Sequence, residues 1–250
     1  MTVPPPVDLR RATSRRRAAR EALEAVLWDR EGHRRLPSER ALRRALEACA
    51  PRDAWWVCEA SSYGPCYLLP TRPWVRALAA ELTRLGVHRV LEVCAGDGLL
   101  ARSLARAAPG LRVHAADDRS WEAPEGRMSS EDRALYQGVP FGGLRAGAGV
   151  EPLGALEAIA RHAPELVLVS WAPPGPLVEA LILAPVRYVL ELGVDGDVTG
   201  DSALTWRYRK EFLDGPVEAR ALCRLDRADE EPRTRVTLYY GAAHPEHGPE

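Results

Sequence analysis

The chain has 250 residues, 46% of them hydrophobic, with 34 basic against 35 acidic side chains. That length and apolar content suit one cored domain with an appendage and exclude a disordered or collagen-like chain. No run of about 18 apolar residues exists to cross a bilayer, and the opening Met-Thr-Val-Pro-Pro-Pro has no apolar signal core. Five cysteines at irregular spacing, with no Cys-x-x-Cys pair, point away from a zinc ribbon or a disulfide framework and towards a reducing cytoplasm.

Charge is segregated. Residues 1–52 carry 13 arginines and 7 acidic residues, while the rest of the chain is net acidic. There is one lysine, Lys210, and no asparagine. Arginine richness therefore reads as a codon-usage bias and not as a nucleic-acid footprint.

Residues 9–27 predict a helix with Leu23, Val26 and Leu27 as its apolar stripe, and with Arg15–Arg17 on a solvated face. Ser38–Cys49 predicts a second helix, capped by Ser38, with Leu42, Ala45 and Leu46 on one side. Residues 55–69 are aromatic and rich in turn residues. A helix over Pro73–Leu85 starts on a proline and stops at Gly86. Strands and helices then alternate: strand Arg89–Val93, helix Leu99–Ala108, strand Arg112–Ala116, a Gly-rich loop over 138–149, helix Pro152–Ala163, strand Leu166–Ser170, a short helix around Leu177–Leu183, and strand Tyr188–Leu192. Val217–Leu225 and Thr234–Tyr240 read as two closing strands. The pattern predicts an α/β fold: a mostly parallel twisted sheet with helices on both faces and an antiparallel C-terminal strand pair. The expected organisation is an N-terminal helical extension or lid over 1–62, the α/β domain over 63–243, and a mobile tail over 244–250.

The most informative stretch is residues 90–98, Val-Leu-Glu-Val-Cys-Ala-Gly-Asp-Gly. An apolar strand carries Glu92 near its end, then a small-residue turn bends on Gly96 and Gly98 into a helix. In an open α/β sheet such a turn cradles a nucleoside-bearing ligand at the strand ends. Asp117 ends the next strand, 19 residues after Gly98, where a carboxylate can accept from both ribose hydroxyls. Asp118 is the second candidate for that role.

The string resembles motif I of the class I S-adenosylmethionine-dependent methyltransferases, acid-x-Gly-x-Gly-x-Gly. Glu92, Gly96 and Gly98 match, and Cys94 stands at the first glycine position. The resemblance implies S-adenosylmethionine as cofactor, held by Glu92, Cys94, Ala95, Gly96, Gly98, Asp117 and Asp118, with Glu92 acting indirectly near the cofactor's amino-acid end. Ser170-Trp171-Ala172-Pro173-Pro174-Gly175 ends the fourth strand and partly resembles the Asn/Asp/Ser-Pro-Pro-aromatic box of amino-group methyltransferases. It departs by two inserted residues and a glycine after the proline pair. On that resemblance Ser170, Trp171 and Pro173 are the candidate catalytic residues, with Glu191 on the next strand as a base. The run from Tyr63 to Pro73 looks like the segment that leads into the sheet of adenine-specific DNA methyltransferases, which assigns Tyr63 to the cofactor's cover.

The expected activity is methyl transfer to a small-molecule acceptor. A nucleic-acid (adenine-type) N-methyltransferase is disfavoured because residues 53–250 are net acidic and duplex binding wants a basic surface. A non-catalytic relative that keeps the fold is the other alternative. A nicotinamide-dependent oxidoreductase can be read from Gly96-x-Gly98-x-x-Ala101 but lacks a catalytic Tyr/Lys pair. No metal site is expected: Asp195, Asp197 and Asp201 read as a solvated turn, His114 as structural, and the six histidines show no pairing by spacing.

Overall fold

The structure is a computed structural model of the chain and describes residues 9–59, 63, 65–120, 146–194, 199–213, 223 and 234–248. Four helices lead: α1 (Leu9–Leu27), α2 (Glu39–Ala48), α3 (Pro51–Glu59) and α4 (Arg72–Arg84). The rest runs β1 (Arg89–Val93), α5 (Leu99–Ala107), β2 (Arg112–Ala116), β3 (Val150–Glu151), α6 (Ala155–His162), β4 (Leu166–Ser170), α7 (Leu177–Ile182), β5 (Tyr188–Val194), α8 (Ser202–Thr205), β6 (Lys210–Phe212) and β7 (Thr234–Tyr240).

These strands form one seven-stranded sheet in the order β3-β2-β1-β4-β5-β7-β6. The first five are parallel, and β7 lies antiparallel between β5 and β6. Central strands are apolar on both faces, as a sheet covered on both sides requires. One face, with Val90, Leu168, Leu190 and Leu238, packs on α4 and α5 through Leu78, Leu82, Leu100 and Leu104. The other, with Leu91, Val93, Val167 and Val189, packs on α6 and α7 through Ile159, Val178 and Leu181.

The N-terminal helices build a separate core from Leu23, Leu27, Trp28, Leu42, Leu46, Ala54 and Val57, and it takes in Cys66 and Leu69. The Ser38 hydroxyl accepts from Ala41 N–H at 3.2 Å, so the expected cap is present. The aromatic stretch expected to be turn-rich begins as the last residues of α3, because Ala54, Val57 and Cys58 fall on one helical stripe that meets α1. Arg16 is exposed as expected, yet it is also ion-paired. It and Arg20 clamp the buried Asp53 of α3, with Arg16 Nε to Oδ2 at 2.9 Å and Arg20 Nε to Oδ1 at 2.7 Å.

The outer edge of the sheet differs from expectation. The strand that flanks β7 there is Lys210–Phe212, a three-residue element too short to show a period in the sequence. The expected strand Val217–Leu225 lies outside the described residues except for Cys223, which is buried. Past β7 the chain folds back: His247 Nδ1 lies 2.9 Å from Tyr240 O, and Arg209 pairs with Glu246 at 2.9 Å. Among the described residues no helix is long and apolar enough to cross a membrane.

Paired guanidinium groups hold the Asp53 carboxyl at about 2, below its ordinary value of 3.8. A depressed folded pKa adds stability that is complete above about pH 4 and fades as pH falls towards 2. Asp53→Ala removes the carboxylate that ties Arg16 and Arg20 of α1 to α3 and is expected to loosen that contact. Hydrogen exchange should then quicken across residues 14–27 while β1 and β4 keep their protection. Unchanged exchange in α1 would show that the clamp is dispensable.

Candidate functional site

The β1–α5 turn is held in place by acids. Glu92 is buried on β1, and its Oε2 accepts from the N–H of Ala101 in the first turn of α5 at 2.7 Å. Asp97 Oδ1 accepts from Leu99 N–H at 3.0 Å. Asp117, at the end of β2, accepts from Gly96 N–H through Oδ2 and from Arg119 N–H through Oδ1, both at 2.8 Å. Ala95 N–H donates to Ala116 O at 3.1 Å, so the turn is stitched to β2 twice. Gly96 and Gly98 have φ of +54° and +67°. A Cβ on Gly98 would sit 2.6 Å from Val150 Cγ2, so its need for glycine is both conformational and steric. Cys94, at the family's first glycine position, is also left-handed at φ +52°, a conformation in which a side chain is strained.

These carboxylates change what the helix end can bind. The first-turn N–H groups of an α-helix form an anion site when they are unpaired. Here two of them are taken by Glu92 and Asp97.

Beside the turn lies a cavity of about 290 Å³. Glu92, Cys94, Ala95, Gly96, Asp117 and Asp118 line one end, and Ser170, Trp171 and Pro173 the other. Nine of the residues proposed from sequence therefore meet in one place. The Asp118 side chain is exposed, and its Oδ1 accepts from Ser120 N–H at 2.8 Å. The Trp171 backbone is left-handed at φ +57°, its N–H donates to Leu192 O, and its ring lies nearly parallel to that of Tyr67 at 6.3 Å between centroids.

Three proposed residues lie elsewhere. Gly98 caps α5 behind the turn. Tyr63 stacks on Trp28 at 5.5 Å and lines a neighbouring cavity of about 780 Å³. Glu191 lies level with Val169 but on the α7 face of the sheet, accepts from the Tyr239 hydroxyl at 3.1 Å, and lines a separate cavity of about 70 Å³ with Thr199 and Asp201. Asp201 itself caps α8.

The sequence reading missed Asp97, Arg34 and Tyr67. Asp97 sits between the two glycines and was legible as their companion. Its Oδ2 is buried with no hydrogen-bond partner and lines both larger cavities. Arg34 also lines both, with its Nη2 donating to Leu68 O at 2.9 Å and its Nε buried without a partner. Nothing distinguishes it in sequence from the other N-terminal arginines.

Burial pushes the Glu92 carboxyl up to about 8, only partly offset by the Ala101 N–H. Burial, followed by the charges of Asp117 and Asp118, pushes the Cys94 thiol up to about 12, so it stays protonated and is no nucleophile.

Five parallel strands in this order, with an antiparallel strand inserted next to the far edge, form the sheet expected from the sequence resemblance. That strand order is the one implied by the resemblance to the class I S-adenosylmethionine-dependent methyltransferases. No known protein family matches the sequence. No curated protein matches it either. Solved structures similar to it include the 23S rRNA methyltransferase ErmE, at 19% identity over 72% of this chain and 71% of that one, with a TM-score of 0.39. The CurJ carbon methyltransferase shares 11% identity over 97% and 72%, with a TM-score of 0.43. The mitomycin 7-O-methyltransferase MmcR shares 16% over 68% and 54%, with a TM-score of 0.37, so the chain spans about half the length of that protein. These are likenesses of fold.

The Glu92 shift has a testable sign. A carboxyl whose pKa rises on folding from 4.5 to about 8 keeps in the folded state a proton that the unfolded state releases. Stability therefore falls as pH climbs through that window. Glu92→Gln retains an acceptor for Ala101 N–H and removes the titration. Its melting temperature is expected to change less than that of the wild type between pH 5 and 8; parallel profiles would contradict a buried neutral carboxyl.

Proposed function

We propose that the chain is an S-adenosylmethionine-dependent methyltransferase acting on a small-molecule acceptor. The observation that carries this reading is the acid-held turn: two N–H groups of the α5 N-terminus are taken by the Glu92 carboxyl and by Asp97, and the cavity beside it presents Asp97 and Asp117. A dinucleotide needs that helix end for its pyrophosphate, and carboxylates there repel it. A nucleoside that carries a positive charge suits the same surroundings.

The residues present fit the cofactor. The buried, unpartnered Asp97 Oδ2 is an acceptor that an ammonium group would satisfy. Asp117 lines the cavity, and a carboxylate there suits a pair of ribose hydroxyls. When bound, S-adenosylmethionine supplies an electrophilic methyl group on a sulfonium. The protein's part is then alignment and exclusion of water. Glu92 and Asp117 fix the turn, the Tyr67 and Trp171 rings form an apolar wall, and Ser170 offers a hydroxyl at the end of β4. Pro65, Tyr67 and Leu68 cover the cavity from the N-terminal side, an enclosure that favours a small acceptor over a duplex. With Glu191 turned away, no side chain on β5 serves as base. An acceptor that is already nucleophilic needs none.

Calorimetry on the purified chain with S-adenosylmethionine, S-adenosylhomocysteine and NAD tests this. The first two are expected to bind and NAD is not. Asp117→Ala should weaken both by at least about tenfold, or about 1.4 kcal/mol. Absence of binding by the sulfonium pair would refute the reading. Unchanged affinity in the variant would refute the ribose role of Asp117.

A further inference from the structure

A second constellation lies at the β3 edge of the sheet, on the face covered by α6. His114 of β2 and Ala116 share that face, Ala116 is in register with Glu151 of β3, and the last turn of α6 brings His162 over them. One ring nitrogen from each histidine and one Glu151 oxygen lie within 4.8 Å of one another. None of the three lines the cofactor cavity. We propose that His114, Glu151 and His162 form a binding site for a divalent transition-metal ion of the zinc class.

Three observations support it. The imidazoles are stacked, 4.1 Å between centroids and 23° between planes, so neither donates to the other, and a rotation of one ring would turn both nitrogens towards a common ion. His162 Nε2 is buried and has no hydrogen bond, although Glu151 Oε1 is 2.8 Å away. The carboxylate is close but off the N–H direction, so the two atoms flank a common point and do not share a proton. A buried polar atom left so is costly, and an ion between the two would satisfy it. Arg161 Nη1 lies 3.4 Å from Glu151 Oε2, and this pairing orients the carboxylate with Oε1 towards the histidines. Such a neighbour of a ligating carboxylate fixes its direction.

The donor set selects the ion. Two neutral imidazoles and one carboxylate suit zinc, at about 2.0–2.2 Å, with water in the fourth position. Tetrahedral ligation places ligand atoms about 3.3 Å apart, so the trio closes by rotamer adjustment and not by backbone movement. The structural consequence reaches the main site. The Glu151 carbonyl accepts from Asp117 N–H at 3.0 Å, so an ion that ties β3 to β2 and α6 also steadies the backbone of Asp117.

The site stands without the methyltransferase reading, and its test does too. Untagged full chain is stripped with chelator, then titrated with zinc chloride by calorimetry and with cobalt chloride by visible absorption. One equivalent of zinc should bind, with a rise in melting temperature. His114→Ala and His162→Ala should each weaken binding by about a hundredfold or more and abolish the thermal shift. His114→Asn and His162→Gln serve if the alanine variants do not fold. His33→Ala, in the exposed Asp29/Glu31/His33 group, should bind zinc as wild type does. Failure of the wild type to bind one equivalent, variants that bind like it, or a cobalt spectrum with thiolate charge-transfer bands would each overturn the proposal.

Discussion

Carboxyl groups on β1 and β2 close the start of α5, and the functional end of the molecule depends on that closure. Glu92 takes the N–H of Ala101, Asp97 that of Leu99, and Asp117 that of Gly96. A turn that passes through three left-handed residues, Cys94, Gly96 and Gly98, has little intrinsic preference for one conformation. The hydrogen bonds of these three side chains hold the turn in one conformation against β2. The same bonds reverse the character of the helix end, from an attractor of anions to an acidic pocket.

The acids also divide the labour at the site. Glu92 is deeply buried, with a raised pKa, and its carboxyl is bonded to the helix. Asp117 and Asp97 line the cavity, and one of them keeps a buried oxygen without a partner. The N-terminal lobe, held by the Arg16–Asp53–Arg20 clamp, supplies the cover through Arg34 and the segment that carries Pro65, Tyr67 and Leu68. Sheet and lobe have separate hydrophobic cores, and the cavity lies where they meet.

Local signals in the sequence carried the parallel part of the sheet. Val90–Val93, Leu166–Val169 and Tyr188–Leu192 are apolar on both faces and separated by amphipathic helices, a pattern that leaves few alternatives. That Gly96 and Asp117 meet at one cavity was legible for the same reason: their positions follow from spacing along one βαβ unit. What stayed hidden depends on contacts between distant segments. Arg34 reaches the cavity from the loop after α1, and His114 meets His162 across 48 residues. Neither has a sequence period. Glu191 was expected at the site from its place at a strand end. The alternation along β5 turns it instead to the face where Tyr239 and the segment at Thr199–Gly200 enclose it. The edge strand Lys210–Phe212 was too short to declare itself beside the longer apolar run at 217–225.

A crystal structure of the chain with S-adenosylhomocysteine measures the central claim most directly, that the acid-held turn is a nucleoside-cation cradle. The account predicts the nucleoside in the cavity between Gly96 and Trp171, its ribose hydroxyls within hydrogen-bond distance of Asp117 and its ammonium group at Asp97 Oδ2, with the Gly96–Asp117 and Ala101–Glu92 bonds retained. A ligand seated elsewhere, or a turn that opens and releases those two bonds, would contradict it.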